Sequence, residues 1–243
     1  DPQDWQARRE RAAIRTNLGQ LDEALADLEV WIDVHPSAQA YAYRGFVEAR
    51  RGRRERAEAD FERALALDPK HLTALRNLAE FAEAKRDYRR ASALLARVLE
   101  LSPKDVWTLK TQLTLVARLQ EHRRVVETAL ALEPLVPAEV GVPLQRCLAL
   151  IQLNQLGDAE GAAQRVLKLS PDHLRGLMTL CKIQLKRERW DALIATCERI
   201  LALDKSLAKS TRDEVIRARA FALQKGGSPA STPPPPSPAP END

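Results

Sequence analysis

The sequence predicts an all-α protein, a right-handed α-solenoid of about six helix-turn-helix repeats with a C-terminal capping helix. Prolines recur at gaps of 33, 34, 34 and 34 residues, at Pro36, Pro69, Pro103, Pro137 and Pro171. A second series of residues has the same gaps and consists of Ala24, Ala57, Ala91, Val125, Ala159 and Leu193. Two series with one period indicate internal repeats, which are the signature of a solenoid.

Each repeat has the pattern of two antiparallel helices, with apolar residues three and four positions apart. Small residues such as Gly45, Ala79, Cys147 and Cys181 recur where the paired helices must approach closely. One helix pair cannot bury its apolar face alone, so the repeats are expected to stack. The solenoid is predicted to span residues 1–224. Its repeats are predicted at residues 5–36, 37–69, 70–103, 104–137, 138–171 and 172–205.

The second and third repeats carry the most regular pattern of large, small and proline positions. On these residues the chain resembles the tetratricopeptide repeat family, whose pattern is W-x2-L-G-x2-Y, then A-x3-F, then P. The resemblance covers about residues 5–205, and the first copy departs from it with Arg8, Arg11 and Arg15 at usually apolar positions. The matching residues are Tyr41, Arg44, Gly45, Glu48, Ala57, Phe61, Ala64 and Pro69, followed by Leu75, Leu78, Ala79, Ala82, Ala91, Leu95, Val98 and Pro103.

Three places along the chain depart from this regular pattern. Trp5 and Trp31 in the first repeat are interpreted as bulk that covers the end of the solenoid. Four helix-breaking residues fall within ten positions at the junction of repeats four and five, which predicts a late-starting helix with Pro143 in its first turn. This junction is either a change of stacking angle or a longer loop without functional meaning. The four residues are Pro134, Pro137, Gly141 and Pro143.

The C-terminal end is predicted to hold a capping helix and a tail. Residues 206–224 mix apolar and charged positions, as expected of a helix that covers the last repeat. Residues 225–243 are rich in proline and are predicted to be disordered with polyproline-II character. Such a tail serves as a spacer or as a ligand for an aromatic-lined groove.

Composition limits the possible class and compartment. The net charge of +4 is modest, and the chain has no apolar run of the roughly 20 residues that span a bilayer. Three cysteines are too few for a disulfide framework and read as buried thiols. Reduced thiols favour the cytoplasm. Because the chain begins with Asp1-Pro2, a periplasmic location after loss of a signal or lipoprotein anchor is the alternative.

The sequence offers no catalytic, metal-binding or cofactor-binding motif, so we expect a protein that is not an enzyme. Its four histidines are scattered over turns and lack metal-ligand spacing. His71 and His173 recur at one loop position, which suits a helix start better than catalysis. Phosphate loops, nucleophile elbows and H-E-x-x-H motifs are all missing.

The family resemblance implies that the first helix of each repeat lines a concave groove. Trp107 and Phe46 beside Arg76 and Lys110 are candidates for a binding hot spot, and packing against neighbouring helices is the alternative. The two-carboxylate clamp of chaperone-binding relatives is missing around Asn77, so heat-shock chaperones are not expected as partners. The expected groove residues are Phe46, Arg76, Trp107, Lys110, Leu144, Met178 and Lys182.

The turns inside repeats two to four form a second candidate surface, here called the basic edge. Its cations could attract an acidic protein segment, anionic lipid or nucleic acid, or could simply keep the edge soluble. Tyr88 is the one aromatic residue among them, so nucleic acid is a disfavoured partner. The basic edge is defined by Arg50, Arg51, Arg53, Arg54, Arg86, Arg89 and Arg90.

These features favour a non-enzymatic scaffold or adaptor that holds a peptide or helix of a partner protein in the groove. The Ala-, Leu- and Arg-rich style is associated with high-GC bacteria, where such repeats serve in assembly of envelope, secretion or pilus complexes. The alternative is an anion-binding module that works through the basic edge. The two differ in salt response, because only the second should weaken steeply as salt is raised.

Overall fold

The computed structural model describes residues 4–203 and 208–226, and these residues form thirteen α-helices and no strand. The chain divides into two compact units, unit 1 within residues 1–121 and unit 2 within residues 122–243. Unit 1 holds α1 (Trp5–Asn17), α2 (Leu21–Val34), α3 (Ala38–Arg50), α4 (Arg54–Leu67), α5 (Leu72–Ala84), α6 (Tyr88–Leu101) and α7 (Val106–Arg118). Unit 2 holds α8 (His122–Leu132), α9 (Gly141–Gln152), α10 (Leu156–Leu169), α11 (Leu174–Lys186), α12 (Trp190–Leu203) and α13 (Lys209–Gln224).

Within each unit, helices that follow one another in the chain pack side by side. In unit 1, α1 to α6 form three hairpins and α7 packs on α6. In unit 2, α8 packs on α9, two hairpins follow, and α13 packs on α12. The predicted helical-repeat architecture is thereby confirmed. The unit boundary falls between α7 and α8, within residues 104–137, and the division into six repeats stays a prediction.

Polar side chains cap the N-termini of several helices, where they accept hydrogen bonds from backbone amides that have no partner within the helix. His71 Nδ1 accepts from the amide of Ala74 at 3.3 Å, and His173 Nδ1 accepts from the amide of Gly176 at 3.0 Å. Asp105 caps α7 in the same way. The interpretation of the two histidines as helix starts is confirmed.

The turn inside each hairpin, and likewise the turn that follows α7, has one residue in the left-handed region of backbone conformation. In the first two copies this residue is glycine, with φ of 78° at Gly19 and 84° at Gly52. The amide of Arg53 then donates to the carbonyl of Glu48 at 2.9 Å, which closes the helix end as in a Schellman motif. The later copies have side chains at this position: Arg86 (62°), Gln120 (57°), Asn154 (57°) and Glu188 (56°).

The core of the second hairpin shows why the small positions recur. Gly45 on α3 faces α4, and a Cβ atom there would lie 3.1 Å from the carbonyl oxygen of Ala57 and 3.2 Å from Phe61 Cδ1. Phe61 is fully buried and contacts Phe81 of the next hairpin edge to face, with ring centroids 6.0 Å apart. The missing side chain at position 45 therefore lets two helices close over a large aromatic residue.

The first hairpin is covered by a stack of aromatic rings. The Trp5 ring lies 6.0 Å from Trp31 and 4.6 Å from His35, in nearly parallel orientation. Trp31 is buried, whereas Trp5 is partly exposed. This arrangement agrees with the interpretation of both tryptophans as bulk at the end of the repeats.

The arginines of the first helix, which depart from the family pattern, share one buried carboxylate. Asp27 on α2 accepts hydrogen bonds from Arg8 at 3.2 Å, from Arg11 Nε at 2.8 Å and from Arg15 at 2.6 Å. The hydrogen bond from Arg11 lowers the pKa of Asp27 below its ordinary value, although burial acts in the opposite direction. A charged cluster thus takes the place of apolar packing in this hairpin.

The junction between α8 and α9 is irregular. α8 ends at Leu132, five residues before Pro137, whereas α4 and α6 each end two residues before their closing prolines. α9 begins at Gly141, so Pro143 lies in its first turn, where a missing amide hydrogen removes no hydrogen bond within the helix. The predicted late start of this helix is confirmed.

The last described helix covers the end of unit 2. α13 packs on α12, where Phe221 meets Trp190 edge to face at 5.8 Å and Arg219 Nη2 donates to Glu198 at 2.7 Å. α13 begins at Lys209, three residues after the predicted start at 206. The predicted disordered tail lies outside the described residues from position 227 onward. Among the described helices, none has the length and apolar character that crossing a membrane requires.

Candidate interaction surfaces

The first helices of successive hairpins lie side by side in unit 1. Gln39 at the start of α3 contacts His71 at the start of α5, with Oε1 and Nε2 3.3 Å apart. Arg76 on α5 forms an ion pair with Asp105 at the start of α7. We call the outward side of α3, α5 and α7 the first-helix face.

Two aromatic residues of the predicted groove are exposed on the first-helix face. The exposed fraction is 39% for Phe46 on α3 and 45% for Trp107 on α7. Phe46 lies 6.4 Å from the Tyr43 ring, and the Arg50 guanidinium lies 6.0 Å from its centroid. Large apolar side chains at this exposure are free to contact a partner.

The cations expected next to these aromatic residues differ in their surroundings. Arg76 is bound to Asp105 and lines a shallow cavity of about 370 Å³ together with Pro103 and Lys104. Burial would raise the pKa of Asp105, but the hydrogen bonds from Thr108 and the charge of Arg76 lower it overall. Because of its ion pair with Asp105, Arg76 is held in place before any partner arrives, which reduces the entropy lost on binding. Lys110, by contrast, is exposed on α7.

The groove residues predicted in unit 2 are divided between core and surface. Leu144 is buried among the helices, so its side chain is taken up by packing. Met178 on α11 is half-buried against the core, and Lys182 one turn later is exposed. Met178 and Lys182 both line the same cavity, and Leu144 is not among its lining residues.

This cavity has a volume of about 670 Å³ and lies between α11, α12 and α13. Its wall is mainly apolar, with charged groups such as Lys182 and Arg217 among the lining residues. Trp190 and Phe221 are its aromatic lining residues, and sequence reasoning assigned neither of them to a site. The pairing of an aromatic residue at the start of α12 with one in the capping helix was the available signal.

The basic edge is partly neutralised by carboxylates of unit 1. Arg51 pairs with Asp22, and Arg53 lies 3.9 Å from Glu48. Arg50 donates to the carbonyl oxygen of Thr16 at 2.9 Å. These cations are already engaged within the protein, so the number of arginines overstates the charge offered to a partner.

The second turn of the basic edge is held against α4. Arg90 donates to Glu58 at 3.0 Å and to Glu62 at 2.7 Å, and Lys85 pairs with Glu58 as well. The hydrogen bond from Lys85 lowers the pKa of Glu58 despite its burial. Within residues 4–203 and 208–226, three arginines of the edge are exposed and form no ion pair or side-chain hydrogen bond. They are Arg54, Arg86 and Arg89.

The three cysteines are buried and unpaired, as the sequence predicted. Burial raises the pKa of Cys147 to about 12, so its thiol stays protonated at neutral pH. The part of the chain that the structure describes has no group of three or more His, Cys, Asp or Glu residues arranged to hold a metal ion.

Comparison with known proteins agrees with this architecture. A family model described as "Tetratricopeptide repeat" matches residues 49–113, which run from the end of α3 into α7. No protein of curated function has a matching sequence.

Several solved structures share the fold. YrrB, described as "a TPR protein with an unusual peptide-binding site", is 15% identical, with 82% of this chain and 97% of that chain covered and a TM-score of 0.58. MamA from Desulfovibrio magneticus RS-1, from residue 41 to its end, is 17% identical, with 71% and 97% covered and a TM-score of 0.52. A chain of the Naa15/Naa10 structure bound to HypK-THB is 16% identical, with 91% of this chain but 34% of that chain covered and a TM-score of 0.72. At these identities the likeness concerns the fold.

Proposed function

Because the chain is a tetratricopeptide-repeat protein, we propose that it is a non-enzymatic scaffold whose first-helix face in unit 1 binds a peptide or a helix of a partner protein. The observation that carries this proposal is the exposure of Phe46 and Trp107 on one face of unit 1. Exposed aromatic residues are the usual anchors of protein interfaces. YrrB, which shares the fold, is described as having a peptide-binding site.

The charges of the face favour a partner with acidic as well as apolar groups. Lys110 is exposed near Trp107 on α7, and Arg76 and Lys104 border the shallow cavity beside Asp105. An apolar anchor on Trp107 with a carboxylate directed to these cations would use both kinds of contact. The composition of the chain fits a bacterial scaffold, and assembly of an envelope, secretion or pilus complex is the setting we propose.

A displayed peptide library selected against the wild-type protein tests this function. Binding of the selected peptides is then measured by titration calorimetry for wild type, Trp107→Ala, Phe46→Ala and the control Leu67→Ala. Leu67 is exposed on α4, the second helix of its hairpin. Loss of a hot-spot aromatic residue should weaken binding about 30-fold or more, as expected from about 2 kcal/mol. Peptides that bind all four proteins equally would contradict the proposal.

A second candidate is an anion-binding module that uses the basic edge. The specific observation in its favour is that Arg54, Arg86 and Arg89 are exposed and engaged with no carboxylate of the described residues. Binding of polyglutamate should weaken steeply with salt and should be lost in Arg54→Glu/Arg86→Glu. Lys168→Glu/Lys186→Glu, with two exposed cations of unit 2 reversed, is the matched control. Equal loss in both double variants would indicate only an effect of net charge.

A further inference from the structure

Two thiols of unit 2 lie next to each other in the cavity between α11, α12 and α13. Cys181 on α11 and Cys197 on α12 have their sulfur atoms 3.9 Å apart, and both line the cavity. The exposed fraction is 8% for Cys181 and 0% for Cys197. A small, uncharged molecule that enters the cavity would therefore reach Cys181 first, because the Cys197 side chain is fully shielded from solvent behind it.

The repeat pattern explains why these two residues meet. Cys181 and Cys197 stand 136 residues after Gly45 and Phe61, so they occupy the two positions that approach most closely in the second hairpin. In the hairpin of α9 and α10 the same positions hold Cys147 and Ala163. A thiol takes the place of a phenyl ring at position 197, and both cysteines are among the residues that line the cavity.

We propose that Cys181 and Cys197 form a reversible oxidation site, in which hydrogen peroxide entering the cavity converts the two thiols into a disulfide. Closure requires the sulfurs to move from 3.9 Å to about 2.05 Å, which side-chain rotation can supply when the two helices already pack closely. The site is independent of the first-helix face, which lies in unit 1.

The chemistry uses one molecule of peroxide. One of the two thiols loses its proton, its thiolate attacks one peroxide oxygen, the O–O bond breaks, and a sulfenic acid and hydroxide form. The sulfur of the other cysteine then attacks the sulfenic sulfur and expels the sulfenic oxygen, which takes up the proton of that second thiol and leaves as water, while the hydroxide takes up the proton that the first thiol had lost. The sum is two thiols and one peroxide giving one disulfide and two waters.

The surroundings favour Cys197 as the more readily ionised thiol of the pair, whereas Cys181 is the less buried one. A hydrogen bond from the Cys181 thiol lowers the pKa of Cys197, and the positive charge of Arg219 acts in the same direction, although burial opposes them. Cys147 has no second thiol beside it: its own thiol donates to the carbonyl oxygen of Ala159 at 3.2 Å, and burial raises its pKa to about 12. Cys147 is therefore the internal control.

Counting thiols before and after peroxide treatment tests the proposal. Folded, reduced protein is treated with hydrogen peroxide, unfolded and alkylated, and the intact mass and tryptic peptides are measured. We expect the number of alkylated thiols to fall from three to one, with the remaining label on Cys147 and with peptides 176–182 and 190–199 linked. Dithiothreitol should restore all three thiols. Loss of all three thiols at equal rates, disulfide-linked dimers, or unchanged thiols would each overturn the proposal.

Variants sharpen the same measurement. Cys147→Ser should still lose both of its remaining thiols together. Cys197→Ser should form no internal disulfide, so its two remaining thiols should not be consumed by disulfide formation. Circular dichroism shows whether each variant is folded. If Cys197→Ser does not fold, the peptide linkage in wild type and in Cys147→Ser decides the question. A linkage that joins Cys147 to another cysteine would contradict the assigned pair.

Discussion

Arg44 on α3 holds Asp60 on α4 through two hydrogen bonds, from Nε to Oδ2 at 2.9 Å and from Nη2 to Oδ1 at 2.6 Å. Asp60 is buried, and loss of its carboxylate would leave the Arg44 guanidinium without its partner between the two helices. Asp60→Ala should therefore lower the free energy of unfolding by about 2 kcal/mol, as for a hydrogen bond to a charged group. Urea denaturation measures the change.

The exposed pair of Glu62 and Arg90 provides the comparison for this prediction. Glu62 accepts from Arg90 at 2.7 Å but is solvent-exposed. Glu62→Ala should cost less than about 1 kcal/mol, because exposed ion pairs contribute little. Equal losses in the two variants would show that burial is not what makes the Arg44–Asp60 pair important.

The buried carboxylate of Asp27 should make stability depend on pH. The pKa of Asp27 is lowered in the folded protein, first by the hydrogen bond from Arg11 and then by the charges of Arg11 and Arg15, against the effect of burial. Its contribution is fully present above the unfolded pKa of about 3.9 and is lost as pH falls through the lower folded value. The stability difference between wild type and Asp27→Asn should therefore shrink below about pH 4.

Thermal unfolding at a series of pH values checks this expectation, with Asp33→Asn as the control. Asp33 lies on the same helix but is exposed and has no ion pair or side-chain hydrogen bond among the described residues. Asp33→Asn should leave the dependence of the melting temperature on pH near that of wild type at every pH. A constant difference between wild type and Asp27→Asn across the acid range would contradict the prediction.

The close approach at Gly45 should distinguish it from Gly161, although both are helical glycines. A Cβ at position 45 meets three neighbours at 3.1 to 3.2 Å, whereas one at position 161 meets no atom within 4 Å. Gly45→Leu should destabilise by at least about 1–3 kcal/mol through overpacking. Gly161→Leu should stabilise by about 0.5–1 kcal/mol, because leucine favours a helix over glycine. Chemical denaturation of both variants measures the sign of each change in the free energy of unfolding.

The contact between Trp190 and Phe221 should hold the capping helix in place. Phe221 is 42% exposed and Ile216 on the same helix is 46% exposed, yet only Phe221 has a ring partner. Phe221→Ala should cost about 1–2 kcal/mol and shift the Trp190 fluorescence to longer wavelength as the ring meets water. Ile216→Ala should change either quantity little. Identical effects would indicate that the ring contact contributes nothing specific.

The helix pairs could be predicted from the sequence because their determinants are local and periodic. Pro69 and Pro103 mark helix ends two residues upstream, and His71 and His173 recur as helix caps. Pro143 is compatible with a helix only in the first turn, which located the start of α9. Such features act within a few residues, so a single sequence contains them.

The ion pairs and hydrogen bonds that engage the cations of the basic edge could not be predicted in the same way. The partner of Lys85 is Glu58, 27 residues earlier, and Arg50 donates to the carbonyl oxygen of Thr16, 34 residues earlier. Charge counted within each turn misses these contacts between hairpins. The same limitation applied to the cavity, because its wall forms only when Phe221 of α13 approaches Trp190 of α12.

The turns inside the hairpins have a consequence for engineering the chain. Three of them and the turn that follows α7 place a side chain in the left-handed region, which costs most residues about 1–2 kcal/mol more than it costs glycine. Gln120→Gly and Glu188→Gly should therefore raise the melting temperature, and Asn154→Gly should do so less, because asparagine tolerates this conformation. All these side chains are exposed. The melting temperature of the protein could thus be raised one turn at a time, by substitutions at exposed positions outside its core.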